Sequence, residues 1–268
     1  MFIVHQGSFY LHIAVGSCAL LLFWVPVFTK KGSLNHKKFG RYFAWAMYTV
    51  AISGFIMSSL DLLMPLTAHA LGATMTEARA VSFAAEIRNL AVFLFSLSIL
   101  VLSSTRQGWL SILHRDDRAP LRTPVHNALL LSLVTVGAAL GIYGLTSGSV
   151  LFMIFAVLQI VIGTSSLRYN YKEKLAPNEW WIEHLRGLIG SGIGAYTAFF
   201  VFGGRRIFEA LFQDAAQDIS IVLWLAPGVL GSIFIAYLSR HYRKKFDSNW
   251  AVKRATARTQ LFKFSEEG

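Results

Sequence analysis

The feature that most constrains this chain is a junction near its start. Ile13 to Phe28 carries no charge, and it is followed by Lys30-Lys31-Gly32-Ser33-Leu34-Asn35-His36-Lys37-Lys38-Phe39-Gly40-Arg41. The first piece dissolves in hydrocarbon and the second cannot leave water. The boundary therefore fixes one helix end at a membrane surface. Every later crossing must alternate from it.

Runs of the same kind recur along the chain, each long enough to cross a hydrocarbon core of about 30 Å at about 1.5 Å per residue. Hydrophobic residues make up 54% of the 268, charged residues 15%, and the mean hydropathy is +0.51. A soluble helix needs a polar face, and most of these runs are apolar all round. The expected fold is all-α: an integral membrane bundle of seven transmembrane helices. The spans fall near 7–28, 42–66, 88–104, 124–145, 149–167, 184–204 and 219–239. Residues 1–245 then form a single polytopic transmembrane domain and 246–268 a cytoplasmic polar tail.

A net charge of +11 spread over a soluble surface would suggest nucleic acid. Here the Lys and Arg sit in the gaps between apolar runs. Twenty fall in the first, third and fifth gaps and the tail, and four in the other gaps. The positive-inside rule then sets the N-terminus outside and the C-terminus inside, in agreement with seven crossings of a cell (inner or plasma) membrane. Cys18 is the only cysteine, so no intrachain disulfide forms. Met1 to Tyr10 lacks a basic n-region, and the first helix is expected to be its own insertion signal.

The gaps carry further signals. Trp109, Trp180, Trp181, Tyr169 and Tyr171 fall where an inner aromatic belt belongs. Arg205 to Asp218 aligns Ile207, Phe208, Leu211 and Phe212 as a helix lying on the outer surface would, and Thr67 to Ile87 is long enough for another. Thr146 to Ser149 reads as a tight turn, and Pro227-Gly228 as a kink in the seventh span.

Ionisable side chains inside a bilayer are costly, and are functional candidates for that reason. Near the outer end lie His12, Asp61, Glu86 and Arg88, a candidate polar site. Near the inner end, His36, His126 and His184 stand at the starts of the second, fourth and sixth spans. His126 shares an azimuth with Gly137, which Gly141 follows at i+4. His184 heads Gly187, Ser191 and Ala195, beside a second stripe of Gly190, Gly194 and Ala198. Small residues at this spacing let backbones approach, so spans four and six are expected to pack, each bringing one histidine. His126 and His184 facing each other would hold haem, and with His36 they would hold a divalent transition metal.

Simpler roles compete at every position. Inner histidines also bond headgroups, loop carbonyls or carboxylates such as Glu183. His12 suits an interhelical hydrogen bond, and Asp61 an ion pair at the boundary. His5, His69, His114 and His241 are expected in solvent. The run Gly190-Ser191-Gly192-Ile193-Gly194-Ala195 follows no strand, so its glycines pack helices and bind no dinucleotide. The seventh span has no lysine for a retinal Schiff base, and there is no H-E-x-x-H, P-loop or nucleophile elbow. Arg240, Arg243, Lys244 and Lys245 suit anionic lipid or a plain topology anchor.

His12-x3-Gly16, followed by His36 to Arg41, resembles the helix–H-x-x-x-G hairpin of a group of bacterial multi-pass membrane proteins, domain of unknown function 2306. Glu183 to Ser191, running on to Thr197-Ala198-Phe199, is similar to that group's histidine-led helix. The resemblance touches about a fifth of the chain and implies that His12, His36, Gly40 and His184 match pattern positions. It implies no activity. Three function classes follow from the residues themselves. One is a redox or cofactor protein with haem or a metal at the cytoplasmic side. Another is a small-solute or proton transporter using His12 and Asp61. The third is a noncatalytic assembly subunit, as a homo-oligomer or with a membrane partner, joined through glycine-rich helices.

Overall fold

A computed structural model describes residues 1–69, 75–203, 225–246 and 248. The described residues are helical, without strands. The long helices are α1 (Phe2–Phe28), α2 (Leu34–Leu63), α4 (Glu77–His114), α5 (Pro124–Ser147), α6 (Val150–Tyr171) and α7 (Glu179–Ala198), the last continued by a π turn at Phe199–Gly203. A single turn, α3 (Pro65–Ala68), follows α2, and a 3-10 turn (Ala119–Arg122) precedes α5. A further helix, α8, spans 225–246. Among the described residues five helices, α1, α2, α4, α5 and α6, are long and apolar enough to cross a membrane. The chain is a helical membrane protein.

Neighbouring helices run antiparallel, and short connections with local caps explain why. The Ser33 hydroxyl accepts from the His36 amide and starts α2, as an N-cap serine does. Gly148 closes α5 at φ +68°, a left-handed conformation that costs glycine nothing. The turn expected at Thr146 to Ser149 is thus present. It folds α6 straight back along α5, and the glycines of α5 set the spacing. A Cβ on Gly137 would stand 2.9 Å from Gln159 Cβ, and one on Gly144 would stand 3.0 Å from Phe152 Cβ. Gly163 answers from α6, where a Cβ would meet Val134 at 2.6 Å.

The central element is α4. It packs on α2, α5 and α7, and its 38 residues extend about 57 Å at about 1.5 Å per residue. The third span is expected to start near 88; its helix starts at Glu77, so 77–87 continues that helix. Phe93 stacks on Phe152, with ring centroids 5.6 Å apart, and meets Phe155 edge-on at 4.9 Å. Small hydroxyl residues fill the closest approaches of α4, and their donors return to its own carbonyls, as Thr105 does to Val101 O at 2.7 Å and Ser111 to Gln107 O at 2.7 Å. Gly108 and Gly187 make the tightest crossing: a Cβ on Gly187 would lie 2.6 Å from Gly108 Cα.

That crossing corrects one expectation. The small stripe headed by His184 packs on α4, and α5 uses its glycines on α6. Spans four and six are therefore separated by α4. At the edge of the bundle, α1 buries only Ala19 and Phe23. Helix α8 returns along α7, with Trp181 and Tyr242 ring centroids 4.1 Å apart. The surface helix expected at 205–218 lies outside the described residues, and so does the polar tail apart from Phe246 and Ser248. The described part of the seventh span begins at residue 225, two residues before Pro227.

Candidate metal centre

The hairpin of α1 and α2 sets the geometry of the first site. His12 Nδ1 lies 3.0 Å from Ser53 Oγ. The Ser53 proton goes to Thr49 O at 2.7 Å, so His12 Nδ1–H is the donor to this oxygen. Gly54 lets the ring in, since a Cβ there would stand 3.4 Å from His12 Cε1. Each step up α1 is a step down α2. Two turns towards the N-terminus, on the same face of α1 as His12, His5 therefore arrives opposite Asp61.

Asp61 is the convergence point. His5 Nε2 is 3.1 Å from Asp61 Oδ1, and His69 Nε2 is 3.0 Å from the same oxygen. The imidazole centroids lie 4.7 Å apart. His69 reaches the site because Met64 breaks α2, Pro65 starts the single turn of α3, and His69 caps it. The side chains are largely withdrawn from solvent: 13% exposed for His5, 29% for His69 and 14% for Asp61. As hydrogen bonds, both contacts need the Nε2–H tautomer. With those protons replaced by a cation, the same three atoms are its ligands. Donors about 2 Å from a tetrahedral ion sit about 3.3 Å apart, close to the two nitrogen-to-oxygen separations found here. Among the described residues this is the one group of three His, Cys, Asp or Glu side chains whose ligand atoms all lie within 4.8 Å of one another.

The expected outer site is therefore rearranged. His12 bonds to Ser53 and not to Asp61. Arg88 Nε donates to Leu62 O at 3.1 Å, stitching α4 to the end of α2, while Glu86 is exposed. His5 and His69, expected in solvent, are the side chains that hold Asp61.

At the opposite end of the bundle each of the three inner histidines makes its hydrogen bond to a separate neighbour, although His36 lies near enough to His184 to act on it electrostatically. His126, fully buried, has Nε2 2.7 Å from Gln107 Oε1. An amide oxygen only accepts, so Nε2 carries the proton. Gln107 in turn donates to Asn170 Oδ1 and to Glu183 Oε1, each at 2.9 Å, tying α4, α5, α6 and α7 together. His184 Nδ1 donates to Gly108 O at 3.0 Å, next along α4. His36 Nδ1 donates to Pro26 O at 3.0 Å, a carbonyl it shares with Lys31 Nζ at 2.8 Å. Both side chains cap the end of α1. The Lys31 amine is half-buried, which pushes it below the usual lysine range. His36, His126 and His184 do not form a three-ligand group.

No family model, curated protein or solved structure matches the chain. The class of molecule rests on its own helices and the site on its own side chains.

Proposed function

We propose that the chain is a seven-span protein of the cell membrane, N-terminus outside and C-terminus inside, that holds a divalent transition metal at its outer face through His5, Asp61 and His69. The single observation behind the metal is the convergence of two imidazole nitrogens on one shielded carboxylate oxygen, from three separate chain segments. Nitrogen donors with one carboxylate suit zinc and its neighbours, and a tetrahedral ion would keep a fourth position for water or substrate. Supporting the orientation are the basic gaps on one side, and supporting the count is α7 followed by α8. A haem or metal at His36, His126 and His184 has less support, because each imidazole is engaged by its own protein partner. The likeness to domain of unknown function 2306 fits a multi-pass membrane protein and leaves activity open.

The test is metal analysis of the purified full chain after dialysis against zinc. About one equivalent per chain is expected for the parent protein, and Asp61→Asn and His69→Ala should lose it while His114→Ala keeps it. Equal metal in all four proteins would reject the site.

A second reading, carriage of a small cation or protons, draws on His12. It lies about 10.5 Å below His5 on the same face of α1, a second imidazole along one path. Flux into liposomes that His12→Ala abolishes, with the outer metal still bound, is the expected sign; unchanged flux would reject it.

A further inference from the structure

A cleft of about 560 Å³ opens between α6, α7 and α8, at the end of the bundle away from Asp61. Arg168, Lys172, Arg186 and Arg243 line it, and its carboxylates are Glu179 and Glu183. The two acids already have partners. Glu179 accepts from Lys172 Nζ at 2.9 Å and from the Ala176 amide at 2.7 Å. Glu183 Oε1 accepts from Gln107 Nε2 at 2.9 Å. The three arginines make no direct ion pair among the described residues, although Arg186 and Arg243 lie near enough to Glu183 and Glu179 to act on them electrostatically, so four cations face two carboxylates and the cleft keeps a net positive charge. Three guanidinium groups from three helices are thus left facing one cleft.

Arginines with no other use at a protein surface simply stay hydrated. Two features set these apart. They come from different helices, so the bundle itself holds them around one space. The packing of Trp181 on Tyr242 also fixes α8 against α7, and with it the position of Arg243. A planar fork of donors matches the oxygens of a phosphate, and basic pockets between membrane helices suit phospholipid headgroups. The cleft has room for more than a bare phosphate.

We infer that this cleft binds a phosphate-bearing anion through Arg168, Arg186 and Arg243, either the headgroup of an anionic phospholipid or a free phosphate. The site is independent of the metal at the other end. It differs from general attraction of lipid to the basic cluster at 240–245, because only Arg243 of that cluster lines it.

The test is thermal unfolding of the full chain in detergent, titrated with phosphatidylglycerol, with phosphatidylcholine of the same acyl chains, or with inorganic phosphate. Greater stabilisation by phosphatidylglycerol than by phosphatidylcholine is expected. The Arg168→Gln/Arg186→Gln variant should need roughly tenfold more of it or beyond, as befits lost charge-assisted bonds. Lys37→Gln/Lys38→Gln, with the same charge removed elsewhere, should respond as the parent does. If inorganic phosphate stabilises the parent and the arginine variant loses that response, the occupant is free phosphate. Arg168→Lys/Arg186→Lys serves if the glutamine variant does not fold, and loss of the forks with the charges kept should still weaken binding. Equal stabilisation of the parent by both lipids, with none by phosphate, overturns the site, as does an unchanged phosphatidylglycerol response in the arginine variant.

Discussion

Single residues separate packing from chemistry in this bundle, and the glycines of α7 make the point. Gly187 touches the α4 backbone, whereas a Cβ on Gly190 would meet nothing within 4 Å. Gly187→Ala should therefore cost about 1–3 kcal/mol through overpacking. Gly190→Ala should be neutral or slightly stabilising, since alanine favours a helix. Thermal unfolding in detergent checks both, and equal effects would deny the tight crossing. Gln107 is the polar counterpart. Its amide satisfies His126, Asn170 and Glu183 together, so Gln107→Leu takes a bond from two buried partners and from the half-buried Glu183. A loss of about 3 kcal/mol or more is expected, because each orphaned group costs about 1–3 kcal/mol. A near-neutral result in the same unfolding experiment would show that water replaces the amide.

At the scale of elements, hydropathy located the first five apolar helices well, because an apolar run of membrane length has few alternatives. Turn chemistry located Gly148. Partners were harder to read. The small stripes on α5 and α7 mark close approach, but a stripe does not say to whom. Each used its own neighbour, α6 and α4, and the histidines above the stripes went to Gln107 and Gly108 on α4. The two histidines of the candidate metal site were hidden for a different reason. Starting the first span at residue 7 leaves His5 outside the helix, whereas α1 begins at Phe2 and carries it to Asp61. The pairing of His12 with Ser53 would have exposed that register. His69 depends on the break at Met64, which hydropathy does not report. The same register predicts that cysteines at positions 5 and 61, introduced with Cys18→Ser, cross-link on oxidation, whereas a pair at 12 and 61 does not. The contrary pattern on non-reducing gels would mean a shifted hairpin.

For the whole molecule, the two ends divide the work proposed here. One end gathers His5, Asp61 and His69, and the other gathers exposed arginines around a cleft. In the orientation proposed from the charge bias, the first would lie outside and the second in the cytoplasm. With Cys18→Ser as background, a single cysteine at Ser149 should label with a membrane-impermeant maleimide on intact cells, and one at Glu173 only after the cells are opened; labelling of intact cells at Glu173 alone would invert the topology. X-ray absorption at the zinc edge of the zinc-loaded protein tests the proposed outer metal most directly. Two imidazole nitrogens and one carboxylate oxygen at about 2.0–2.2 Å are expected, lost together in Asp61→Asn. A spectrum without imidazole ligands, or one unchanged in Asp61→Asn, would contradict it.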